Sequence, residues 1–416
     1  ILIVSDFYWA FVLDGKRRGK SGPVAINTRL GWVLSGPIYP QSLRVATQNE
    51  RGTLAMNCFN ESQQQNELHS VLSKFWTLES LGIDTNEEDK PLQKFSDNLK
   101  FDGKRYEVAL PFRENYGVLA DNYQHSHDRL QSLLKRLRRN RELGDQYDAI
   151  MTEQLESGVL EGVSADPPTV GKVYYMPHLG VVRKDKDTTK LRIVYDACSK
   201  IVGPSLNQCL YEGPSLLPEI FNILLAFRFF PIGITADIEK AFLQVSVRKE
   251  DRDFLRVLWV DDLNAEVPKE VALRFTRCVF GVASSPFHLN ATLLYHMNKY
   301  DQINANTVAT LKRSLYVDDV TVGVDSVEEG FSFFRTSRSI MSDGGFNLRK
   351  WATNSDELVR LISLEVSSNQ ADDNQTYSSF STQNSQRASG SQEQKVLGVM
   401  WNRQCDELKF RFEGFF

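Results

Sequence analysis

Two adjacent aspartates, Asp318 and Asp319, sit inside the run Leu315-Tyr316-Val317-Asp318-Asp319-Val320-Thr321-Val322. Apolar residues lead into them, and Val320, Val322 and Val324 alternate behind them, which reads as strand, two-residue turn, strand. A tight hairpin favours Asn-Gly or Asp-Gly, where positive φ is cheap, and two neighbouring carboxylates repel each other. One reading is an exposed acidic turn. The other is a hairpin tip that delivers carboxylate oxygens to divalent cations, which cancel the repulsion. A further aspartate, Asp237, closes the apolar run Ile232-Gly233-Ile234-Thr235-Ala236. It is either a helix N-cap or a charge leaving a buried strand, costly there unless a metal or partner holds it. Such carboxylates, with a Gly/Ser/Pro helix start at Gly281 to Pro286, are the kit for two-metal nucleotidyl transfer.

Periodicity shows the elements that would position these groups. Pro218 to Phe229 reads as a helix, Ile232 to Ala236 as a buried strand, and Ile238 to Gln244 as a helical turn. Phe275 to Phe280 reads as a strand, and Phe287 to Tyr300 as a helix whose serine-proline start can accept phosphate or packed bases. Behind the acidic hairpin come a helix over Glu328 to Met341, a Gly344-Gly345 turn and the run Phe346 to Trp351. Val173 to Pro177, Val181-Val182 and Leu191 to Tyr195 read as strands around a charged tip. Arg183, Lys184, Lys186 and Lys190 there, with Arg192 on the return strand, either grip a triphosphate or form an ordinary polar hairpin end. Over Arg129 to Arg141, Leu130, Leu133, Leu134 and Leu137 fall on one helical face. The basic residues around them (Arg129, Lys135, Arg136, Arg138, Arg139, Arg141) have no acid between them, and form a solvated face or a backbone-phosphate contact.

The bulk composition is ordinarily globular. A chain of 416 residues, 41% hydrophobic and 25% charged, is expected to form two to three folded units. Its net charge of −4 argues against a wholly basic nucleic-acid coat protein and leaves room for a local basic groove. Cys58, Cys198, Cys209, Cys278 and Cys405 lack C-x-x-C spacing, so neither a zinc site nor a disulfide framework is signalled, and a reducing compartment is favoured. No apolar run reaches the roughly 18 residues of a membrane span and no signal peptide is visible, so no membrane partner is expected. The chain starts without Met in the strand pattern Ile1-Leu2-Ile3-Val4, as a piece of a longer polypeptide would. Strand formers and glycine turns fill the first 38 residues, without the Asp-Ser/Thr-Gly of an acid protease. A polar connector over Pro40 to Leu68, a short amphipathic helix over Val71 to Leu78 and a strand after a turn over Phe101 to Pro111 follow. Ser367 to Gln394 is rich in Ser, Gln and Asn and is expected to be disordered. A last hairpin pattern runs over Val396 to Trp401 and Leu408 to Phe412.

Together these motifs resemble those of reverse transcriptases. Tyr316-Val317-Asp318-Asp319 is similar to the family's signature box, Asp237 with Phe242 to its first palm motif, and Phe280-Gly281 to Ser285-Pro286 to the next. Gly345 to Lys350 is similar to the motif after the hairpin, and Leu397-Gly398 to the primer-grip region. The runs Leu191 to Ala197, Gly203 to Asn207, Thr235 to Gln244 and Gly345 to Trp351 resemble the Pol polyprotein of BEL/Pao-type LTR retrotransposons. Ser5 to Trp9 and Ser21 to Pro37 resemble the tail of its retropepsin-like protease domain, although Val4 stands where that tail carries Gly.

The resemblance implies an α+β fold: a right-hand polymerase, with reverse transcriptase fingers and palm over 101–416 and an insert at 367–394. A connector at 39–100 and a C-terminal, β-rich remnant of an aspartic-protease-like domain at 1–38 would precede it. The full thumb, RNase H and integrase would lie beyond this chain. It implies that Asp237 and Asp318 bind two Mg²⁺ ions (Mn²⁺ being able to replace them), with the Ile238 carbonyl assisting and Asp319 completing the cluster. Arg192 and Lys184 would contact the triphosphate, and Phe242 would exclude a 2′-hydroxyl. Phe280 and Gly281 would line the nucleotide pocket, Val317 would touch the primer end, and Lys350 would protonate pyrophosphate. Plain core packing is the competing reading for Phe242, Phe280 and Val317. Implied partners are an RNA or DNA template with primer, dNTPs and the other Pol segments; the implied place is a cytoplasmic virus-like particle, with the nucleus as second compartment. A degenerate copy that binds nucleic acid or proteins without catalysis is the alternative. The protease-like start argues against an intron-maturase or telomerase-like enzyme.

Overall fold

A computed structural model describes residues 12–18, 24–29, 31–35, 85–163, 171–182, 191–368 and 393–409. Strands β1 (Val12–Arg18), β2 (Val24–Thr28) and β3 (Gly31–Ser35) form an antiparallel sheet in that order. Ser5 to Trp9 and the helix expected at Val71 to Leu78 lie outside the described residues. Helix α1 (Thr85–Asn98) falls in the stretch read as connector, yet Phe95 is buried against Phe287 and His288. The packed body therefore begins before residue 101.

Strands β4 (Lys100–Phe101) and β5 (Tyr106–Val108) pair as a hairpin, where a single strand after a turn is expected over Phe101 to Pro111. Helix α2 (Tyr123–Arg139) buries Leu130, Leu133, Leu134 and Leu137, the face their spacing predicts. Helix α3 (Arg141–Glu156) follows at once, with the Asn140 side chain accepting from the Leu143 amide at 3.2 Å as its N-cap. It was not anticipated, although Leu143, Tyr147, Ile150 and Met151 carry the helical period.

Next come β6 (Leu160–Gly162), β7 (His178–Val182) and β8 (Leu191–Tyr195). The strand expected from Val173 starts only at His178. Before it the backbone bonds elsewhere, Tyr174 N to Asp253 O at 3.1 Å and Met176 N to Arg256 O at 2.8 Å. The charged tip, including Lys184, lies outside the described residues. Helix α4 (Ile220–Phe229) delivers the chain to β9 (Ile232–Ile238), and a 3₁₀ turn at Ala241–Gln244 leads to β10 (Ser246–Val247). Strands β11 (Arg256–Val260) and β12 (Glu270–Phe275) form a second sheet with β6. Strand β12 ends where a strand was expected to begin. Thr276 bonds the Gly158 carbonyl at 2.6 Å, Arg277 reaches Ser246 Oγ at 2.7 Å, and Phe280 is left 63% exposed.

Helices α5 (Ser285–Asn298) and α6 (Ala305–Ser314) precede β13 (Leu315–Tyr316) and β14 (Asp319–Val324). Helix α7 (Val327–Asp343), β15 (Leu348–Thr353) and α8 (Asp356–Ser368) follow. The central sheet has the order β13-β14-β9-β15, antiparallel throughout. Helices α4, α6 and α7 pack on β14, and α8 packs on β15. Beyond the insert, of which 369–392 lie outside the described residues, come β16 (Glu393–Val396), β17 (Val399–Asn402) and β18 (Glu407–Lys409). The run Val396 to Trp401 is thus two strands rather than one. Leu397 and Gly398 turn between them with φ of 45° and 94°. Among the described residues no helix is long and apolar enough to cross a membrane.

Two core imidazoles are neutral. His178 Nε2 faces the Leu258 carbonyl at 2.9 Å and so carries the proton, which leaves Nδ1 to accept from the Tyr147 hydroxyl. Burial pushes both His178 and His288 down to about 4. The unfolded chain takes up these protons near pH 6.5, the folded chain only near pH 4. Stability therefore falls as pH drops through that window, by on the order of 3 kcal/mol per histidine. The urea midpoint is expected to hold steady above pH 7 and to decline between pH 6.5 and 4. A level profile there contradicts the buried neutral imidazoles.

Candidate active site

Strands β9 and β14 pair in a register that sets Asp237 opposite Asp319 and Ala236 opposite Val320. Directly opposed residues share one face of a sheet, so both aspartates address the same side. Tyr316 pairs with Asp319, which leaves Val317 and Asp318 as the turn. The expected Asp318-Asp319 turn is thus displaced by one residue, because Asp319 is already held in the ladder to β9. Val317 takes φ +56°, a left-handed backbone that costs a β-branched residue roughly 1–2 kcal/mol. The Asp318 carbonyl accepts from Ile238 N at 2.7 Å and pins the tip to the end of β9.

Cations converge on Asp237 from β15. Lys350 Nζ donates to Asp237 Oδ2 at 2.9 Å, and Arg349 Nε lies 3.7 Å from the same oxygen. Neighbours in a regular strand point to opposite faces. Here the register shifts after Arg349 and Lys350 takes φ +53°, so a bulge brings both side chains to one carboxylate. Glu239 steadies this arm, accepting from Arg349 Nη1 at 2.7 Å and from Asn347 Nδ2 at 2.9 Å. Asp237 Oδ1 is buried and has no hydrogen-bond partner. Burial and the charge of Asp237 push the Asp318 carboxyl above the usual range, against the pull of Lys350 and Arg192. Arg192, on β8 opposite Val181, thereby shares the electrostatic field of the carboxylates.

A second group of expected site residues meets beside the 3₁₀ turn after β9. The buried Phe242 ring and the exposed Phe280 ring stand edge to face with centroids 4.3 Å apart. Gly281 has φ +101°, and a Cβ there would lie 2.1 Å from the Tyr195 carbonyl oxygen, so no other residue fits. Asn207 clamps this loop, donating to Gly281 O at 2.8 Å and accepting from Ala283 N at 2.9 Å. Asn207, Glu239 and Arg349 were not among the expected site residues. Their signals were present in the polar ends of Gly203 to Asn207 and in an acid beside Asp237 matched by the basic pair Arg349-Lys350.

Oxygen donors with a buried, unpartnered carboxylate oxygen suit a hard divalent cation. Among the described residues, no group of three or more His, Cys, Asp or Glu side chains is placed to hold a metal ion. Lys350 holds the second oxygen of Asp237 instead.

No known protein family's profile matches the chain, and no curated protein does. Among the solved structures that match is a foamy viral protease-reverse transcriptase in complex with double-stranded DNA. The two are 18% identical with a TM-score of 0.37, over 49% of this chain and 30% of that one.

The raised Asp318 carboxyl makes a stability prediction. The folded state holds that proton more tightly than the unfolded chain, so stability contributed at acid pH is lost as pH rises through the folded value. Asp318→Asn is therefore expected to melt higher than the wild type at pH 7 in chelator. The gain should vanish below the ordinary carboxylate range, where wild-type Asp318 is protonated. Thermal scans at both pH values check this, and a lower melting point at pH 7 contradicts it.

Proposed function

We propose that the chain is the fingers and palm of a reverse transcriptase from an LTR retrotransposon Pol polyprotein of the BEL/Pao type. It would add dNTPs to a primer on an RNA or DNA template. The observation that carries the reading is the β9–β14 register. It sets Asp237 opposite Asp319, with Asp318 at the adjoining tip and an unpartnered oxygen on Asp237. The motif wording quoted from the sequence supports the BEL/Pao assignment. A cytoplasmic virus-like particle or the nucleus, and association with RNase H and integrase segments, belong to the same proposal.

Asp237 and Asp318, with the Ile238 carbonyl and Asp319, would hold two Mg²⁺ ions, or Mn²⁺ in their place. Bound there, the ions supply charge neutralisation at the attacking primer hydroxyl and at the departing pyrophosphate. Everything else falls to side chains. Arg192, with Lys184, grips the triphosphate through charge-assisted bonds. Phe242 packs under the sugar, its ring braced by Phe280 at 4.3 Å, and leaves no room for a 2′-hydroxyl. Phe280 and Gly281 line the nucleotide pocket, and Val317 touches the primer end. Lys350, tethered to Asp237, gives a proton to the leaving pyrophosphate. Catalysis on this plan is positioning and charge stabilisation, without a covalent intermediate.

The test is dNTP incorporation on a primed RNA template with Mg²⁺. Asp318→Asn is expected to cut the rate by at least about 10²–10³-fold, the equivalent of several kcal/mol of charge stabilisation. Unchanged extension would sink the carboxylate assignment. Tight primer-template binding without any extension in the wild type would favour the non-catalytic copy. Phe242→Val is expected to lower discrimination against ribonucleotides by about tenfold or more. Equal discrimination in the two proteins would return Phe242 to a packing role.

A further inference from the structure

Helix α2 carries a groove that the polymerase reading leaves unused. Its apolar side is buried against β11 and β7, while Lys135, Arg136, Arg138 and Arg139 are exposed on the rest of its surface. At the α2–α3 junction a cavity of about 550 Å³ is lined by Lys135, Arg136 and Arg139, by Ser132 and Asn140, and by the apolar Leu143 and Val182. None of these residues belongs to the carboxylate site.

A solvated helix face is the plain alternative, and the charge pattern argues against it. Lys135 has Arg138 and Arg139 as its i+3 and i+4 neighbours, and Arg136 has Arg139 at i+3. Like charges so spaced repel and weaken the helix. The helix dipole favours cations in the last turn, which accounts for Arg138 and Arg139 but not for crowding Lys135 and Arg136 against them. Among the described residues no carboxylate pairs with the side chains of Lys135, Arg136 or Arg139. In a chain of net charge −4, such unrelieved crowding in one concavity marks a place for an external anion.

We propose that this groove binds the phosphodiester backbone of a nucleic-acid strand, without regard to sequence. Guanidinium forks suit phosphate oxygens, Ser132 and Asn140 add neutral hydrogen bonds, and Leu143 with Val182 offers apolar surface to sugars or bases. A membrane surface is disfavoured because a bilayer needs the apolar face of a basic helix, and here Leu130, Leu133, Leu134 and Leu137 are spent on the protein core. The proposal needs neither the carboxylates nor a metal ion, so it stands or falls apart from the polymerase reading.

The test is fluorescence anisotropy of a labelled single-stranded oligouridylate with the full chain, in chelator, over a range of salt. The variant Lys135→Gln/Arg136→Gln/Arg139→Gln is expected to bind about tenfold to a hundredfold more weakly at low salt. Its log K against log salt should be shallower by about 2, at roughly 0.7 per lost phosphate contact. The charge-preserving variant Lys135→Arg/Arg136→Lys/Arg139→Lys should keep the wild-type slope. Unchanged affinity and slope in the glutamine variant overturn the proposal. So does binding to phosphatidylserine vesicles that matches RNA binding and disappears in that variant. If the triple change prevents folding, Lys135→Gln and Arg139→Gln singly should each remove about 0.7 from the slope. Two unchanged slopes overturn the proposal equally.

Discussion

The site depends on the pairing of β9 with β14. Six consecutive cross-strand pairs, from Asp319–Asp237 to Val324–Ile232, tie a central buried strand to the acidic hairpin. A slip by one residue would turn every side chain to the opposite face and carry Asp319 away from Asp237. Packing forbids that slip: Val320, Val322 and Val324 fill one buried face, and on the other a Cβ at Gly323 would lie 2.8 Å from the Ala226 carbonyl oxygen of α4. The hydrophobic core thus holds the carboxylates in place without touching them.

Holding them together has a cost that the same sheet offsets. Asp237 and Asp318 repel, and Asp237 is largely withdrawn from water. The bulge in β15 answers by aiming Arg349 and Lys350 at one carboxylate oxygen, at the expense of a left-handed lysine backbone. Val317 accepts a second left-handed backbone so that the turn can close in two residues. Local strain at both positions is tolerated because the surrounding ladder over-determines them. The other oxygen of Asp237 stays without a hydrogen-bond partner.

Much of the framework was legible in the residues. The leucine spacing of α2, the apolar run of β9 and the serine-proline start of α5 each led to the element the structure contains. The misplaced strands share one cause. Val173 to Pro177, Phe275 to Phe280 and Val396 to Trp401 are apolar enough for strands, but their backbone groups are satisfied elsewhere or broken by a turn. Propensity describes what a segment tolerates, and partners decide what it does. Helix α1 was hidden for a related reason, since only Phe95 of its described face is buried in the core.

Residue types and order along the chain drew attention to Asp237, Asp318 and Asp319, and the structure sets Asp237 opposite Asp319 with Asp318 in the adjoining turn. The sequence by itself determined that charge must leave the core at these points and that basic residues follow close behind. Which aspartate forms the turn and which joins the ladder was decided by β9, a strand far away along the chain. The convergence of Arg349 and Lys350 on one oxygen was decided by a bulge that no local pattern announces. Hydrogen-bond registry between distant strands is a property of the assembled sheet, and only there can Asn207 find Gly281 or Glu239 find Arg349.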